Sequence, residues 1–119
     1  MDAAGRLARR NRIHCLVTGE SLSQVASQTV ENIQCTESTA RLPVFRPLIG
    51  TDKEDTVRIA REIGTYETSI LPYEDCCTVF TPKHPVTHPK LEKIKMSEKL
   101  LNGEELIREA LENIEVIEL

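Results

Sequence analysis

Apolar side chains recur along this chain in two patterns, one typical of helices and one typical of buried strands. The helical pattern first appears over residues 2–10, where one face carries Ala3, Ala4, Leu7 and Ala8. A nearly continuous apolar run follows at 13–17 and ends at a Thr-Gly pair, which predicts a strand buried on both faces. The chain therefore opens with a helix followed by a strand.

A second helix and a second strand come next. Ser21 or Ser23 is a candidate N-cap for a helix with the apolar residues Val25, Ala26, Val30 and Ile33. Residues 42–45 then form a short apolar segment that Arg46-Pro47 closes, and they predict the second strand. Helices and strands thus alternate through the first part of the chain.

The clearest helix begins after Asp52, which is a good N-cap candidate. Asp55 lies in its first turn, where a carboxylate suits the positive end of the helix dipole. One stripe of this helix carries Val57, Ala60 and Ile63. Gly64 supplies the C-terminal stop signal, so the helix is predicted to span the residues between Asp52 and Gly64.

The remaining sequence divides into a proline-rich segment and a helical tail. Residues 65–90 hold four prolines and cannot form one long regular element. Helical periodicity returns with Leu106, Ile107, Ala110, Leu111 and Ile114. Residues 114–119 alternate apolar and acidic side chains, so a short edge strand is the alternative there.

The element order α-β-α-β-α predicts an α/β fold with a parallel sheet and crossover helices. Two strands make an incomplete sheet, because buried parallel strands need neighbours on both sides and helices on both faces. We therefore expect the chain to be the C-terminal half of a larger parallel-sheet domain whose other strands precede Met1. Residues 1–91 would form the α/β portion, and 92–119 a mainly helical tail.

Composition excludes several classes of protein. Hydrophobic residues make up 39% and aromatic residues 3% of the 119 positions, so any core is aliphatic. No apolar run approaches the ~20 residues of a membrane span, and the first residues lack the apolar region of a secretory signal. The cysteines at 15, 35, 76 and 77 are too irregularly spaced for a disulfide framework, which predicts a reduced, cytoplasmic protein.

Charge is spread unevenly along the chain. The formal net charge is −4, yet residues 6–12 and 83–99 are basic while 104–119 is strongly acidic. Because phosphate backbones bind clustered cations, a nucleic-acid partner is compatible only with the local basic patches.

The first candidate for chemistry is the turn after the first predicted strand, TGESLSQVASQ. Loops at the carboxyl ends of parallel strands are where α/β folds bind ligands, and glycine lets the backbone approach a nucleotide closely. The alternative is that Gly19 only makes a tight turn while the serines only cap a helix. The pattern alone favours that plainer interpretation.

The second candidate is the loop at 74–77, Glu-Asp-Cys-Cys, which has a proline on each side at positions 72 and 82. A thiolate there would be favoured by the cations that follow, Lys83, His84 and His88, and opposed by the two acids. Adjacent Cα atoms lie ~3.8 Å apart, so this vicinal pair could form only a strained disulfide. The alternative, a pair of small loop hydrophobes, stays open on spacing alone.

Other common site motifs are missing from the sequence. It has no CxxC, and Pro85 separates His84 from His88, so the two imidazoles do not share a helix face as a zinc pair would. Walker and GxSxG motifs are also missing. No protein-held metal site is therefore predicted.

Three blocks of the sequence resemble one known family. LVTGESLSQVASQTVENI, RPLIGTDKEDTVRIAREIGT and YEDCCTVFTPKHPVTHPKLE closely resemble the C-terminal part of the tRNA 4-thiouridine synthetases, also called tRNA sulfurtransferases, which also transfer sulfur to the thiazole of thiamine. The resemblance is densest between residues 14 and 91. Three blocks in the right order make this a specific match.

The resemblance implies a fold, a reaction and its participants. The family's catalytic domain is a PP-loop, or adenine-nucleotide α-hydrolase-like, domain that uses ATP and Mg²⁺ to adenylate a tRNA uridine. Persulfide sulfur from a cysteine desulfurase then displaces AMP. The implied partners are tRNA, the desulfurase and the sulfur-carrier protein of thiazole synthesis, with no membrane.

The resemblance also implies roles for individual residues. Gly19 and Gln28 correspond to positions that contact ATP in the family. Cys76 corresponds to the sulfur-transfer cysteine. The resemblance implies no role for Cys77; since the sequence has no rhodanese domain, we hypothesise that Cys76 accepts sulfur directly and that Cys77 is a resolving thiol.

Parts of the family pattern are missing from the sequence. The SGGxDS pyrophosphate loop, the ferredoxin-like and THUMP RNA-binding regions and a rhodanese domain are all absent. We therefore expect a fragment of the sulfurtransferase that is inactive without its upstream half. The rival hypothesis is a non-catalytic interaction or dimerisation fragment, in which a second copy completes the sheet.

Overall fold

The computed structural model describes residues 1–73 and 85–118. Within them the chain forms six helices and two strands. In chain order these are α1 (Asp2–Arg10), β1 (Leu16–Val17), α2 (Val30–Glu37), β2 (Val44–Phe45), α3 (Lys53–Glu62), α4 (Tyr66–Ser69), α5 (Leu91–Glu98) and α6 (Gly103–Glu112). The predicted order α-β-α-β-α is confirmed.

The two strands pair in parallel, and α2 lies on the connection between them. The register places Leu16 opposite Val44 and Val17 opposite Phe45. Hydrogen bonds extend this pairing at the carboxyl ends, where the Thr18 amide donates to the Phe45 carbonyl at 3.0 Å. The connection that contains α2 is a crossover, which a parallel pair requires because the chain must return to the same end of the sheet before the second strand begins.

The first strand differs from its prediction in length and in burial. It covers Leu16–Val17 rather than 13–17, and Val17 is 67% exposed while its partner Phe45 is 58% exposed. The apolar run would be buried on both faces only if further strands and helices covered it. The described residues do not provide that cover, so the prediction of a fully buried strand is wrong for this chain.

The second helix starts later than predicted. It begins at Val30 with Thr29 as the N-cap, whose hydroxyl oxygen accepts the Asn32 amide at 3.2 Å. Ser23 has a φ of 63°, which is left-handed and interrupts any helix at that point. The predicted cap at Ser21 or Ser23 is therefore wrong, and Val25 lies in a turn.

The third helix and the tail follow the predicted pattern more closely. Asp52 precedes α3, and Gly64 ends the helical segment with a φ of 74°, the left-handed conformation that glycine tolerates best. The tail contains α5 and α6, and residues 114–118 form no strand. The alternative edge strand at the end of the chain is therefore not observed.

The first and last helices pack together, with Arg6 at their junction. Its guanidinium donates to both carboxylate oxygens of Glu104, at 2.7 and 2.6 Å, and to both oxygens of Asp2, at 3.0 Å each. Hydrogen bonding to Arg6 lowers the pKa of Asp2 and the pKa of Glu104 below their usual values.

The apolar core is small for a chain of this length. Among the described residues, the buried apolar side chains are Ala8, Ala40 and Leu111. The accessible surface is 10018 Å², whereas a compact monomer of this mass exposes about 6500 Å². Much of the apolar surface that a larger domain would bury is therefore exposed here.

Candidate nucleotide site

The candidate site lies where the loops after the two parallel strands meet. The amide of Leu22 donates to the Ile49 carbonyl at 3.0 Å. Ser21, which is only 8% exposed, donates its hydroxyl to the Thr51 carbonyl at 3.0 Å. These bonds hold the two loops together at the carboxyl edge of the sheet, where α/β folds place their ligands.

A concave surface of ≈ 390 Å³ opens beside these loops. Residues from both loops and from α3 line it: Gly19, Ser21, Gln24, Val25, Gln28, Leu48, Lys53, Thr56 and Val57. The structure thus brings together Gly19 and Gln28, the two residues that the resemblance matches to ATP contacts. Their role in binding ATP stays a prediction.

Gly19 is not required by the local backbone. Its φ does not lie in the left-handed region, and a Cβ at this position would meet no atom within 4 Å. A glycine kept only for a tight turn normally needs a positive φ or a close neighbour. The open space beside the Gly19 backbone instead suits the close approach of a ligand.

Gln28 ends a short loop that is closed by its own backbone. The Ser23 amide donates to the Gln28 carbonyl at 3.0 Å, and the Gln28 amide donates to the Val25 carbonyl at 2.9 Å. Within residues 1–73 and 85–118 the side-chain amide of Gln28 makes no hydrogen bond, and this amide can both donate and accept.

Lys53 is a residue of the concavity that the sequence pattern did not single out. It is the first residue of α3 and brings a cation to the same concave surface as Gly19. Its position after the Asp52 cap was the available signal. The hydrogen bonds between the two loops bring the start of α3, with Lys53, to the same concavity as Gly19.

Behind the concavity, Arg46 connects the loop after β1 with α2. Its Nε donates to Oε2 of Glu20 at 2.8 Å, and its Nη1 donates to Oε2 of Glu37 at 3.0 Å. The Thr18 hydroxyl donates to the same Glu20 oxygen at 2.9 Å. The Arg46 side chain is only 9% exposed, and its Nη2 has no hydrogen-bond partner among the described residues.

The N-terminus of α2 also binds residues 86–87, near the end of the proline-rich segment. The Thr29 hydroxyl donates to the Thr87 carbonyl at 2.6 Å, and the Asn32 side-chain amide donates to the Val86 carbonyl at 3.1 Å. Residues 86–87 are therefore hydrogen-bonded to the start of α2, which follows Gln28, a lining residue of the concavity, in the sequence.

The predicted sulfur-transfer residue Cys76, together with Cys77 and His84, lies outside the described residues. Of the cysteines within them, Cys15 and Cys35 are both free. No group of three potential metal ligands occurs among residues 1–73 and 85–118. The helices in these ranges are all too short or too polar to cross a bilayer.

Residues 1–102 match the model of the family described as thiamine biosynthesis protein (ThiI). Curated relatives carry the name probable tRNA sulfurtransferase. The protein from Acetivibrio thermocellus is 59% identical over 117 residues, and the protein from Alkaliphilus oremlandii is 60% identical over 116 residues. Each match covers 98% of this chain and 30% of the relative, so the chain spans less than a third of their length.

A solved structure has the same fold over nearly the whole chain. It is a 4-thiouridine synthetase in complex with RNA and with bound ATP, and it is 41% identical with a TM-score of 0.86. The match covers 98% of this chain and 31% of that protein. The predicted α/β class, as part of a larger parallel-sheet protein, is confirmed by this likeness.

Proposed function

Because the chain belongs to the thiamine biosynthesis protein (ThiI) family, we propose that it supplies the nucleotide-binding part of an ATP-dependent tRNA sulfurtransferase. The complete enzyme would adenylate a tRNA uridine and replace its oxygen with sulfur, giving 4-thiouridine. A PP-loop domain would be completed by polypeptide beyond these strands, and the same sulfur would serve thiazole synthesis.

One observation carries the proposal: Gly19 and Gln28 line a single concavity at the carboxyl ends of two parallel strands. The two residues are separated by a loop in the sequence, and the family resemblance matches both of them to ATP contacts. The open space at Gly19 and the side-chain amide of Gln28, which can both donate and accept a hydrogen bond, support the binding of an adenine nucleotide in this concavity.

The proposed reaction has three steps. The uridine carbonyl oxygen attacks the α-phosphorus of ATP, and pyrophosphate leaves. The outer sulfur of a persulfide then attacks the ring carbon, and AMP leaves with the oxygen. A second thiol attacks the carrier sulfur of the resulting disulfide, so that its S–S bond breaks and 4-thiouridine is released, and a thiol reductant reopens the new disulfide. Gly19 admits the nucleotide to the backbone, Gln28 bonds to the base, and Lys53 lies near the phosphates as a cation. Mg²⁺ needs few protein ligands in such a site because the phosphates themselves bind it.

Cys76 is proposed as the thiol that carries or releases the sulfur. It would receive this sulfur from the persulfide of a cysteine desulfurase, and Cys77 is available to resolve a mixed disulfide. The tRNA and the sulfur-carrier protein of thiazole synthesis are the further proposed partners. A cytoplasmic location stays a prediction.

A chimera provides the test. Residues 1–119 replace the matching segment of the Acetivibrio thermocellus relative, and the protein is expressed in bacteria that lack their own sulfurtransferase. We expect 4-thiouridine in their tRNA by mass spectrometry, and ATP- and tRNA-dependent pyrophosphate release by the purified chimera.

Two variants then separate the two steps. Cys76→Ser should abolish 4-thiouridine but keep pyrophosphate release, whereas Cys35→Ser should keep both. Normal 4-thiouridine in the Cys76→Ser chimera would remove Cys76 from the mechanism. Pyrophosphate release by the chain alone would contradict the expected inactivity of the separate fragment.

The second candidate function is a non-catalytic interaction or dimerisation fragment. The large exposed surface of 10018 Å² and the 67% exposure of Val17 favour it, because a second copy could cover the sheet. A chimera that forms 4-thiouridine would exclude this alternative as the whole function.

A further inference from the structure

Arg46 bridges two carboxylates, Glu20 and Glu37, beside the candidate nucleotide site. It follows β2 directly, its side chain is more than nine-tenths buried, and its bonds join Glu20 in one loop to Glu37 at the last residue of α2. The Glu37 carboxylate lies at the negative end of the helix dipole, so the cation also compensates an unfavourable position.

The Glu20 end of the bridge acts on both neighbours of Gly19. Oε2 of Glu20 accepts one hydrogen bond from Arg46 and a second from the Thr18 hydroxyl. Thr18 and Glu20 flank Gly19 in the chain, and the Thr18 amide is also bonded to β2. The Gly19 backbone is therefore held on both sides by contacts that lead to a single carboxylate oxygen.

The bridge is costly as a source of stability. Nη2 of Arg46 is buried without a partner among the described residues, and a buried donor that is left unsatisfied lowers the stability of the fold. Well-packed apolar residues are often at least as stabilising as such a buried ion pair. Fixing the geometry of the Gly19 loop explains the arginine better than stability does.

We propose that Arg46 is a positioning residue for ATP, which acts through Glu20 to hold the Gly19 backbone open toward the nucleotide. This inference rests on the proposed function of the concavity. Arg46 itself does not line the concavity, so it is not expected to touch the nucleotide.

Steady-state kinetics of adenylation in the chimera test the inference. Arg46→Met removes both arms of the bridge and should raise the KM for ATP about tenfold or more, with kcat at saturating ATP within about threefold. Arg46→Lys keeps the charge but not the planar fork, so we expect an intermediate KM.

Two matched carboxylate variants separate positioning from mere structural support. Glu20→Gln weakens the arm that holds Gly19 and should raise the KM for ATP, whereas Glu37→Gln weakens only the arm to α2 and should leave it unchanged. These variants decide the question even if the Arg46→Met chimera does not fold. An equal KM change in both, or an unchanged KM in the Glu20 variant, would overturn the inference.

A Gly19→Ala chimera distinguishes failure of this inference from failure of the proposed function. If Gly19→Ala raises the KM for ATP while Arg46→Met and Glu20→Gln do not, the nucleotide site stands and the positioning role is wrong. If none of the three changes the KM, the nucleotide site itself is wrong, and the inference fails with it.

Discussion

Two glycines of this chain are retained for opposite physical reasons. Gly5 is buried in α1, and a Cβ there would overlap the backbone carbonyl oxygen of Ala40. A Cβ added to Gly19 would meet no atom within 4 Å. The first glycine permits a close contact within the protein, and the second leaves space that the protein itself does not use.

The space at Gly19 leads to a prediction for substitution by alanine. Because neither φ nor a neighbour opposes the methyl group, Gly19→Ala should leave the melting temperature of the chimera unchanged within about 1 °C. The same methyl group would occupy the space of the nucleotide, so the KM for ATP should rise about tenfold. Thermal unfolding and ATP titration of pyrophosphate release measure the two effects. A destabilised variant with an unchanged KM would favour the tight-turn interpretation.

The contact at Gly5 predicts the reverse behaviour. Gly5→Ala forces α1 away from the Ala40 carbonyl and should destabilise the chimera by about 1–3 kcal/mol, as overpacking does. Gly103→Ala is the control, because a Cβ at Gly103 meets no atom within 4 Å and alanine favours the helix. Urea denaturation gives both values. Equal stability of the two variants would contradict the packing of α1 on Ala40.

The candidate site could be predicted only in part from its residues. A glycine after an apolar strand is a weak local signal at Gly19, and only the match of its block to a family points to ATP contacts for Gly19 and Gln28. For Lys53 the one local signal is its position after the Asp52 cap, and for Arg46 there is none, since Lys53 shares a concavity with Gly19 and Arg46 bonds to Glu20 only through the tertiary fold. Local patterns do not encode which loops meet.

At the scale of elements, the junction of α1 and α6 depends on pH. The pKa values of Asp2 and Glu104 are lowered in the folded state because Arg6 donates hydrogen bonds to their charged forms. Their contribution to stability is therefore present above the unfolded pKa values and is lost as the pH falls through the folded ones. The junction should weaken in acid below the normal carboxyl range, with no corresponding change between pH 6 and 8.

Variants of α6 measure this effect. Glu104→Gln should lower the melting temperature of the chimera at pH 7 but not at the acidic end, where the Glu104 carboxyl of the unsubstituted chimera is protonated and therefore as uncharged as glutamine. Glu109→Gln on the same helix is the control, because the Glu109 carboxylate makes no ion pair among the described residues. A Glu104→Gln effect that is independent of pH would exclude the charge as its cause.

The start of α2 gives a second prediction for elements. Thr29 both caps the helix and donates to the Thr87 carbonyl, so Thr29→Val should lower stability by at least the ~1 kcal/mol of a lost N-cap. Amide exchange should quicken at Asn32 and Ile33. Thr36→Val is the control, because its hydroxyl bonds only within α2. Unchanged exchange at Asn32 would show that Thr29 does not cap the helix in solution.

Element type was easier to predict than element boundaries. The periodicity of α1 and the Asp52 and Gly64 signals of α3 act within one or two turns, and both helices form where they indicate. For α2, several hydroxyl residues compete as caps, and the backbone at Ser23 decides against the earlier ones. The contact of Thr29 with Thr87, distant in sequence, contributes to that outcome.

At the scale of the whole molecule, the exposed sheet predicts self-association of the separate chain. Val17 and Phe45 form an apolar pair that is 67% and 58% exposed. Sedimentation velocity of residues 1–119 should show a sedimentation coefficient that rises with concentration. Val17→Lys should reduce the rise because a charge blocks edge pairing, whereas Met96→Lys, at an equally exposed site on α5, should not. A monomer at every concentration would contradict this prediction.

The α/β fold class was predictable from the order of helices and strands, but the burial of the strands was not. Alternating helices and strands indicate a parallel sheet whatever surrounds it. The apolar run at 13–17 has the composition of a covered strand, yet composition does not say which polypeptide covers it. That information lies in contacts beyond the two strands of this chain.

The parallel pairing of β1 and β2 has a consequence for biosynthesis. A hairpin can close as soon as its turn is made, but β1 finds its partner only after α2 and the whole crossover have been translated. At about 5–20 residues per second, that delay is on the order of seconds. During this interval Leu16 and Val17 are an unpaired apolar segment of the nascent chain, and exposed apolar segments of this kind are what chaperones protect from aggregation.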